Sequence, residues 1–169
     1  MDILYAPWRE EYALKADGNQ ITPKEECVFC IQLAQDKDEE FFILGRYTYH
    51  CIMLNRYPYN SGHLLILPFE HIANLEELSL KSQQELMHLM NACTKLVKSE
   101  LKAQGVNIGI NLGKAAGAGI PGHLHAHVLP RWQGDTNFLP TLAQVKQVST
   151  DLNKLYTRLR AKCLAFSLL

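Results

Sequence analysis

The sequence predicts an α+β domain, an antiparallel sheet carrying one long helix and a second helix near the C-terminus. Three observations carry this. The strand-like segments are mostly consecutive and do not alternate one-to-one with helices. Several are short, rich in aromatic, β-branched or apolar residues, and bounded by Gly, Pro and Asn. Between them, from about residue 79 to 104, apolar residues recur at spacings of three and four.

In chain order, residues 1–26 contain Tyr5, Trp8 and Tyr12 and the turn-rich Asp17-Gly18-Asn19, and read as an irregular lead-in. Residues 41–45 and 48–55 read as two strands with a turn near Arg46. Tyr57 to Gly62 breaks the pattern, and 63–67 follows as a buried strand closed by Pro68. The long helix presents Leu86, Leu89, Met90, Cys93, Leu96, Val97 and Leu101, with Gly105 expected as its terminator. Residues 107–112 alternate like a strand, 113–122 form a loop with four glycines, and 123–129 make a further strand stopped by Pro130. A last helix is expected over about 142–164, with Leu152, Leu155, Tyr156 and Leu159 on one face.

Nothing repeats and no long linker interrupts the 169 residues, so one domain over 1–169 is expected. It divides into a lead-in (1–40), a core (41–130) and a C-terminal extension (131–169). Hydrophobic residues at 47% and charged residues at 20% exclude a disordered chain. Seventeen basic against seventeen acidic residues leave no net charge, which argues against a nucleic-acid binder but leaves small phosphorylated ligands open. The charged opening segment predicts no signal peptide, and the longest apolar stretch, near Leu64 to Pro68, is too short for a membrane span. Five cysteines, an odd number, suit a reducing compartment, so a cytoplasmic location is expected.

His123-Leu124-His125-Ala126-His127-Val128-Leu129 is the segment richest in chemistry. Residues two apart on a strand share a face, so three imidazoles line one side while Leu124, Ala126 and Val128 enter the core. Mutual repulsion keeps at least some of them neutral, hence usable as ligand or nucleophile. The blander reading is a half-exposed strand that happens to be rich in histidine. Ahead of it, the loop with Lys114, Gly117 and Gly119 offers backbone N–H groups that glycine lets approach an anion, although it matches neither common phosphate-loop pattern. A plain flexible turn is its rival. Cys27-Val28-Phe29-Cys30 has the spacing of two thiolates on one zinc, of a redox pair, or of a reduced unligated pair.

These segments together resemble the histidine-triad superfamily of nucleotide hydrolases and transferases. The triad itself, Leu54-Asn55-Arg56-Tyr57-Pro58 and Gly62-His63-Leu64-Leu65-Ile66-Leu67-Pro68 are similar to that superfamily. Ala6-Pro7-Trp8-Arg9, the Cys pair and Pro130 to Phe138 look like its bacterial diadenosine tetraphosphate phosphorylase branch. The resemblance implies that His125 is the nucleophile, forming a covalent nucleotidyl-histidine released by phosphate or water. It implies that His127 contacts the phosphate or aids the leaving group, that Asn111 lies near phosphate with Gly117 and Gly119 of the loop, and that Asn55 lies near the ribose. It implies a closed structural zinc on Cys27, Cys30, His71 and His123, with His63 and His50 as spare candidates; His88 lies in the long helix and reads as a surface or satisfied residue.

The implied function is cleavage of dinucleoside polyphosphates. The alternatives are a nucleoside phosphoramidate hydrolase and a non-catalytic nucleotide-binding module. One departure stands out: several relatives carry a glutamine in the loop where this chain has Gly119. The resemblance also implies a homodimer whose sheet continues across the axis, which the extra apolar residues Leu80, Met87 and Leu101 permit. The competing expectation is that the C-terminal helix covers that second face. Tyr5, Trp8 and Trp132 are open between base stacking and packing.

Overall fold

Five strands make one antiparallel sheet in the order β1-β2-β3-β5-β4. The structure, a computed structural model, describes residues 23–136 and 138–164. Tyr5, Trp8, Tyr12 and Ala6-Pro7-Trp8-Arg9 lie outside them. The strands are β1 (Ile43–Arg46), β2 (His50–Leu54), β3 (Leu64–Pro68), β4 (Gly105–Ile110) and β5 (Ala126–Arg131). The helices are α1 (Val28–Leu33), α2 (Leu80–Leu101), α3 (Phe138–Ala143) and α4 (Leu152–Cys163).

Every residue of β2 and β3 is buried, so both sheet faces are covered. Alternation sorts the side chains. Ile52, Leu54, Leu64, Ile66, Leu124, Ala126 and Val128 pack with Leu86, Leu89, Cys93, Leu96 and Val97 of α2. Cys51, Met53, Leu65 and Leu67 point to the other face and pack with Cys27 and Phe29. The first face is core; the second carries the chemistry.

Ser79 caps α2, its Oγ accepting from the Ser82 N–H at 3.2 Å. The helix ends earlier than expected. Lys102, not Gly105, takes the left-handed conformation (φ 55°), its carbonyl accepts from Trp132 Nε1 (3.1 Å), and Gly105 opens β4. That contact, with Trp132 packed on the core, resolves Trp132 as a packing residue.

Two further expectations are corrected. Pro130 lies inside β5 and does not stop it. Its carbonyl accepts from Asn60 (3.0 Å), so the missing N–H faces past Leu64, the first residue of β3, where no ladder bond is required. The C-terminal helix is split: Gln144 has positive φ, the chain from 144 to 151 leaves the helix, and Asp151 caps α4 by accepting from the Asn153 and Lys154 N–H groups. Leu155, Tyr156, Leu159 and Cys163 of α4 are buried in the main core, with Leu152 half-buried.

Gly62 is required. Its φ is +74°, and a Cβ there would collide with the Leu101 side chain. It turns the chain into His63. On the other side of β2, Glu85 of α2 is buried and accepts from the backbone N–H groups of Thr48, Tyr49 and His50 and from His50 Nδ1 at 2.8–3.1 Å. Glu85→Gln replaces an acceptor oxygen by a donor facing other donors. A loss of about 2 kcal/mol in urea unfolding is expected. No helix among the described residues is long and apolar enough to cross a membrane.

Candidate active site and metal cluster

The segment 123–127 is only partly strand, since β5 begins at Ala126. Alternation nevertheless holds along it. Leu124, Ala126 and Val128 are buried against α2, whereas His125 and His127 line a cavity of about 810 Å³ on the opposite face. Asn55, Asn111, Gly117, Gly119, Lys114 and Arg56 line the same cavity. His123 is turned instead towards the Cys pair.

Hydrogen-bond partners that can only donate or only accept assign the tautomers. His125 Nδ1 is 2.7 Å from the His123 carbonyl, which only accepts, so Nδ1 carries the proton and Nε2 keeps its lone pair. His123 Nε2 is 3.0 Å from the Pro68 carbonyl, which leaves the Nδ1 lone pair beside Cys27 and Cys30. The Tyr59 N–H donates to His63 Nδ1 (3.2 Å), with the Asn55 amide at the same distance, so His63 carries its proton on Nε2 and donates it to His127 Nδ1 at 2.9 Å. Neutral His127 is therefore protonated on Nε2. One imidazole is an electron-pair donor and its neighbour, with ring centroids 5.1 Å apart, a proton donor.

Burial keeps His125 and His123 neutral. It pushes His125 below its ordinary value and His123 down to about 4, where the neighbouring His71 and His125 also act. The unfolded chain therefore binds more protons than the folded one between about pH 6.5 and 4. Stability is full above that window and falls as pH drops through it. In protein stripped of metal by chelator, His123 alone accounts for a loss of at most about 3 kcal/mol across that window, of which urea unfolding at pH 7.5 and pH 5 reads about 2 kcal/mol.

Sequence reasoning missed the His63–His127 bond. The sequence carries no local signal for it, because the bond depends on β3 lying beside β5, and the sequence leaves His63 as a spare metal candidate. The structure excludes that role, and His50 is taken up by Glu85. It also missed Phe29, buried between the two cysteines, whose ring centroid lies 5.5 Å from His123 and 5.4 Å from His125.

Cys27, Cys30, His71 and His123 come together from three parts of the chain, their ligand atoms all within 4.8 Å of one another. Cys30 Sγ is 3.2 Å from His71 Nδ1 and 3.4 Å from His123 Nδ1. Tetrahedral zinc with N and S ligands requires edges of about 3.3–3.8 Å, so the set can close on one ion with modest adjustment. Burial and the adjoining Cys27 push the Cys30 thiol up to about 11. Two thiolates here need a cation.

A family model described as "HIT domain" matches residues 37–134. The "AP-4-A phosphorylase" of Mycobacterium tuberculosis (strain ATCC 25618 / H37Rv) is 34% identical over 150 residues, covering 86% of this chain and 75% of that protein. The "Bis(5'-adenosyl)-triphosphatase" of Saccharomyces cerevisiae (strain YJM789) is 32% identical over 96 residues, 56% of this chain and 45% of the relative. Among solved structures, a Zn-bound histidine triad family protein from Mycobacterium smegmatis superposes with a TM-score of 0.67 at 26% identity, covering 82% of this chain and 94% of that one.

Proposed function

The chain belongs to the HIT domain family, and on that premise we propose that it cleaves dinucleoside polyphosphates by nucleotidyl transfer to His125. The observation that carries this reading is the His123 carbonyl bond, which leaves the His125 Nε2 lone pair available in a cavity large enough for a nucleotide. That lone pair attacks the α-phosphorus, and the bridging P–O bond breaks with its electrons passing to the leaving nucleotide. His127 Nε2–H, held in that state by His63, donates to the departing oxygen. Water or inorganic phosphate then attacks the same phosphorus from the opposite side, its proton passing to His127 Nε2, while the P–N bond breaks and its pair returns to His125 Nε2. Asn55, Asn111, Gly117 and Gly119 surround the nucleotide in this reading. The Asn111 amide also buttresses the loop through the Gly117 carbonyl, 3.4 Å away.

The metal we assign to the Cys2His2 cluster is zinc, held by Cys27, Cys30, His71 and His123. All four positions are filled by protein, so when bound it acts structurally, tying α1 to the start of the triad. The neighbour from Mycobacterium smegmatis, described as Zn-bound, supports the choice. Five free cysteines support a reducing, cytoplasmic setting.

Incubation with diadenosine tetraphosphate, with and without phosphate, tests the reading. ATP with ADP means phosphorolysis and ATP with AMP hydrolysis. No turnover of it removes the proposal.

We also propose a two-fold homodimer. β4 is an edge strand with Ile108 47% exposed, and Leu80 and Met87 of α2 stay 76% and 66% exposed although α4 covers part of that helix. Light scattering at micromolar concentration is expected to give twice the chain mass of 19.2 kDa.

A further inference from the structure

The cavity is chemically uneven across the sheet. Among the described lining residues the carboxylates are Glu26 and Glu40, which stand with Phe41 and Phe42 around α1 and the approach to β1. The lining cations are Arg56 and Lys114. The strand order sets β1 and β4 at opposite edges, so Glu40 precedes one edge strand and Lys114 follows the other. His127 rides on β5 and His125 immediately precedes it, next to β4 and two strands from β2.

The two cations are also separated along β5. Arg56 follows β2, whose last residue Leu54 pairs with Leu64, itself opposite Val128. Lys114 follows β4, whose last residue Ile110 pairs with Ala126. The cations thus bracket the reactive imidazoles.

We propose that Lys114 reads the phosphates beyond the scissile bond and thereby selects a nucleotide leaving group over an uncharged one. This rests on the nucleotidyl-transfer reading. A polyphosphate brings several negative charges to the reactive imidazoles, and the carboxylates before α1 and β1 repel it. It runs to the β4 side, while the base and ribose take the aromatic side with Asn55. When the bridging P–O bond breaks, the electron pair settles on the leaving phosphate, beside the Lys114 ammonium.

The lysine is rooted for this task. The Gly117 N–H donates to the Lys114 carbonyl (2.9 Å), the Ala118 N–H donates to the Gly113 carbonyl (3.3 Å), and Ala118 is buried. The loop is a pinned turn, with the exposed lysine at the rim of the cavity. It supplies a point charge on the side where Gly119 brings no side chain.

Calorimetric titration with AMP and with ADP tests this apart from turnover. Wild-type protein is expected to bind ADP at least tenfold more tightly than AMP. Lys114→Ala is expected to shrink that ratio to within threefold, and Lys114→Arg to restore most of it. In turnover, Lys114→Ala is expected to lower kcat/KM for diadenosine tetraphosphate tenfold or more, again recovered by arginine. An ADP-to-AMP ratio unchanged in Lys114→Ala overturns the proposal, as does a wild type that does not distinguish the two. If wild type shows the ratio but does not turn over the dinucleotide, the enzymatic reading fails while the phosphate-reading role of Lys114 stands.

Discussion

His125→Ala is expected to fold, to bind nucleotide and to lose turnover of diadenosine tetraphosphate by about a thousandfold or more, as for other enzymes stripped of a nucleophile. A thousandfold corresponds to about 4 kcal/mol of transition-state stabilisation. The loss is large because, of the two imidazoles lining the cavity, it is His125 whose Nε2 lone pair is fixed by the backbone, through Nδ1–H to the His123 carbonyl. Binding survives because it is distributed over α1, the β2–β3 connection and the glycine loop, all lining one cavity. His127→Ala is expected to cost less, about a hundredfold, since it removes a proton donor and not the covalent step. A single-turnover experiment with labelled substrate checks the assignment. Wild type accumulates a protein-bound, acid-labile nucleotide, and the variant accumulates none. Near-native turnover by His125→Ala would remove His125 from the mechanism.

Much of this architecture was legible in local patterns. The alternation of Leu124, Ala126 and Val128 with His125 and His127 forecast which face is core and which is reactive, and the structure keeps that division. The stripe from Leu86 to Val97 located the long helix. What failed were the boundaries, each for a tertiary reason. Lys102 turns left-handed because Trp132, thirty residues on, holds its carbonyl. The helix expected from 142 breaks because Asp151 provides a cap that periodicity does not register. The site was legible where a motif names its residues and opaque where contacts cross the sheet. Nothing local to Gly62-His63 says that His63 Nε2 will meet His127 Nδ1, a pairing set by β3 lying beside β5. The same holds for Phe29, whose neighbours become its partners only once the cysteines meet His71 and His123.

Cys27→Ala is expected to lose the bound metal and to lower the melting temperature by about 10–15 °C, equivalent to roughly 3–5 kcal/mol for a chain of this size. Cys27 is 1% exposed and immediately precedes α1, so an ion held at the cluster would fasten that helix to the sheet. Three remaining ligands cannot close a tetrahedral site, and binding energy that is otherwise folding energy is lost with the ion. Deleting any buried cysteine also leaves a small cavity, and Cys51→Ala separates the two effects. Cys51 is fully buried on the same face yet outside the cluster, so its loss is expected to cost only about 1–2 kcal/mol and to leave metal content unchanged. The damage from Cys27→Ala extends to catalysis, because His123 joins both sites: its Nδ1 faces the cysteines while its carbonyl orients His125. Turnover is therefore expected to fall together with metal content, whereas Cys51→Ala retains it. Elemental analysis of protein purified without chelator, with thermal unfolding before and after chelator treatment, decides the matter. Wild type that carries no zinc, or whose melting temperature is indifferent to the chelator, would refute a metal at this cluster.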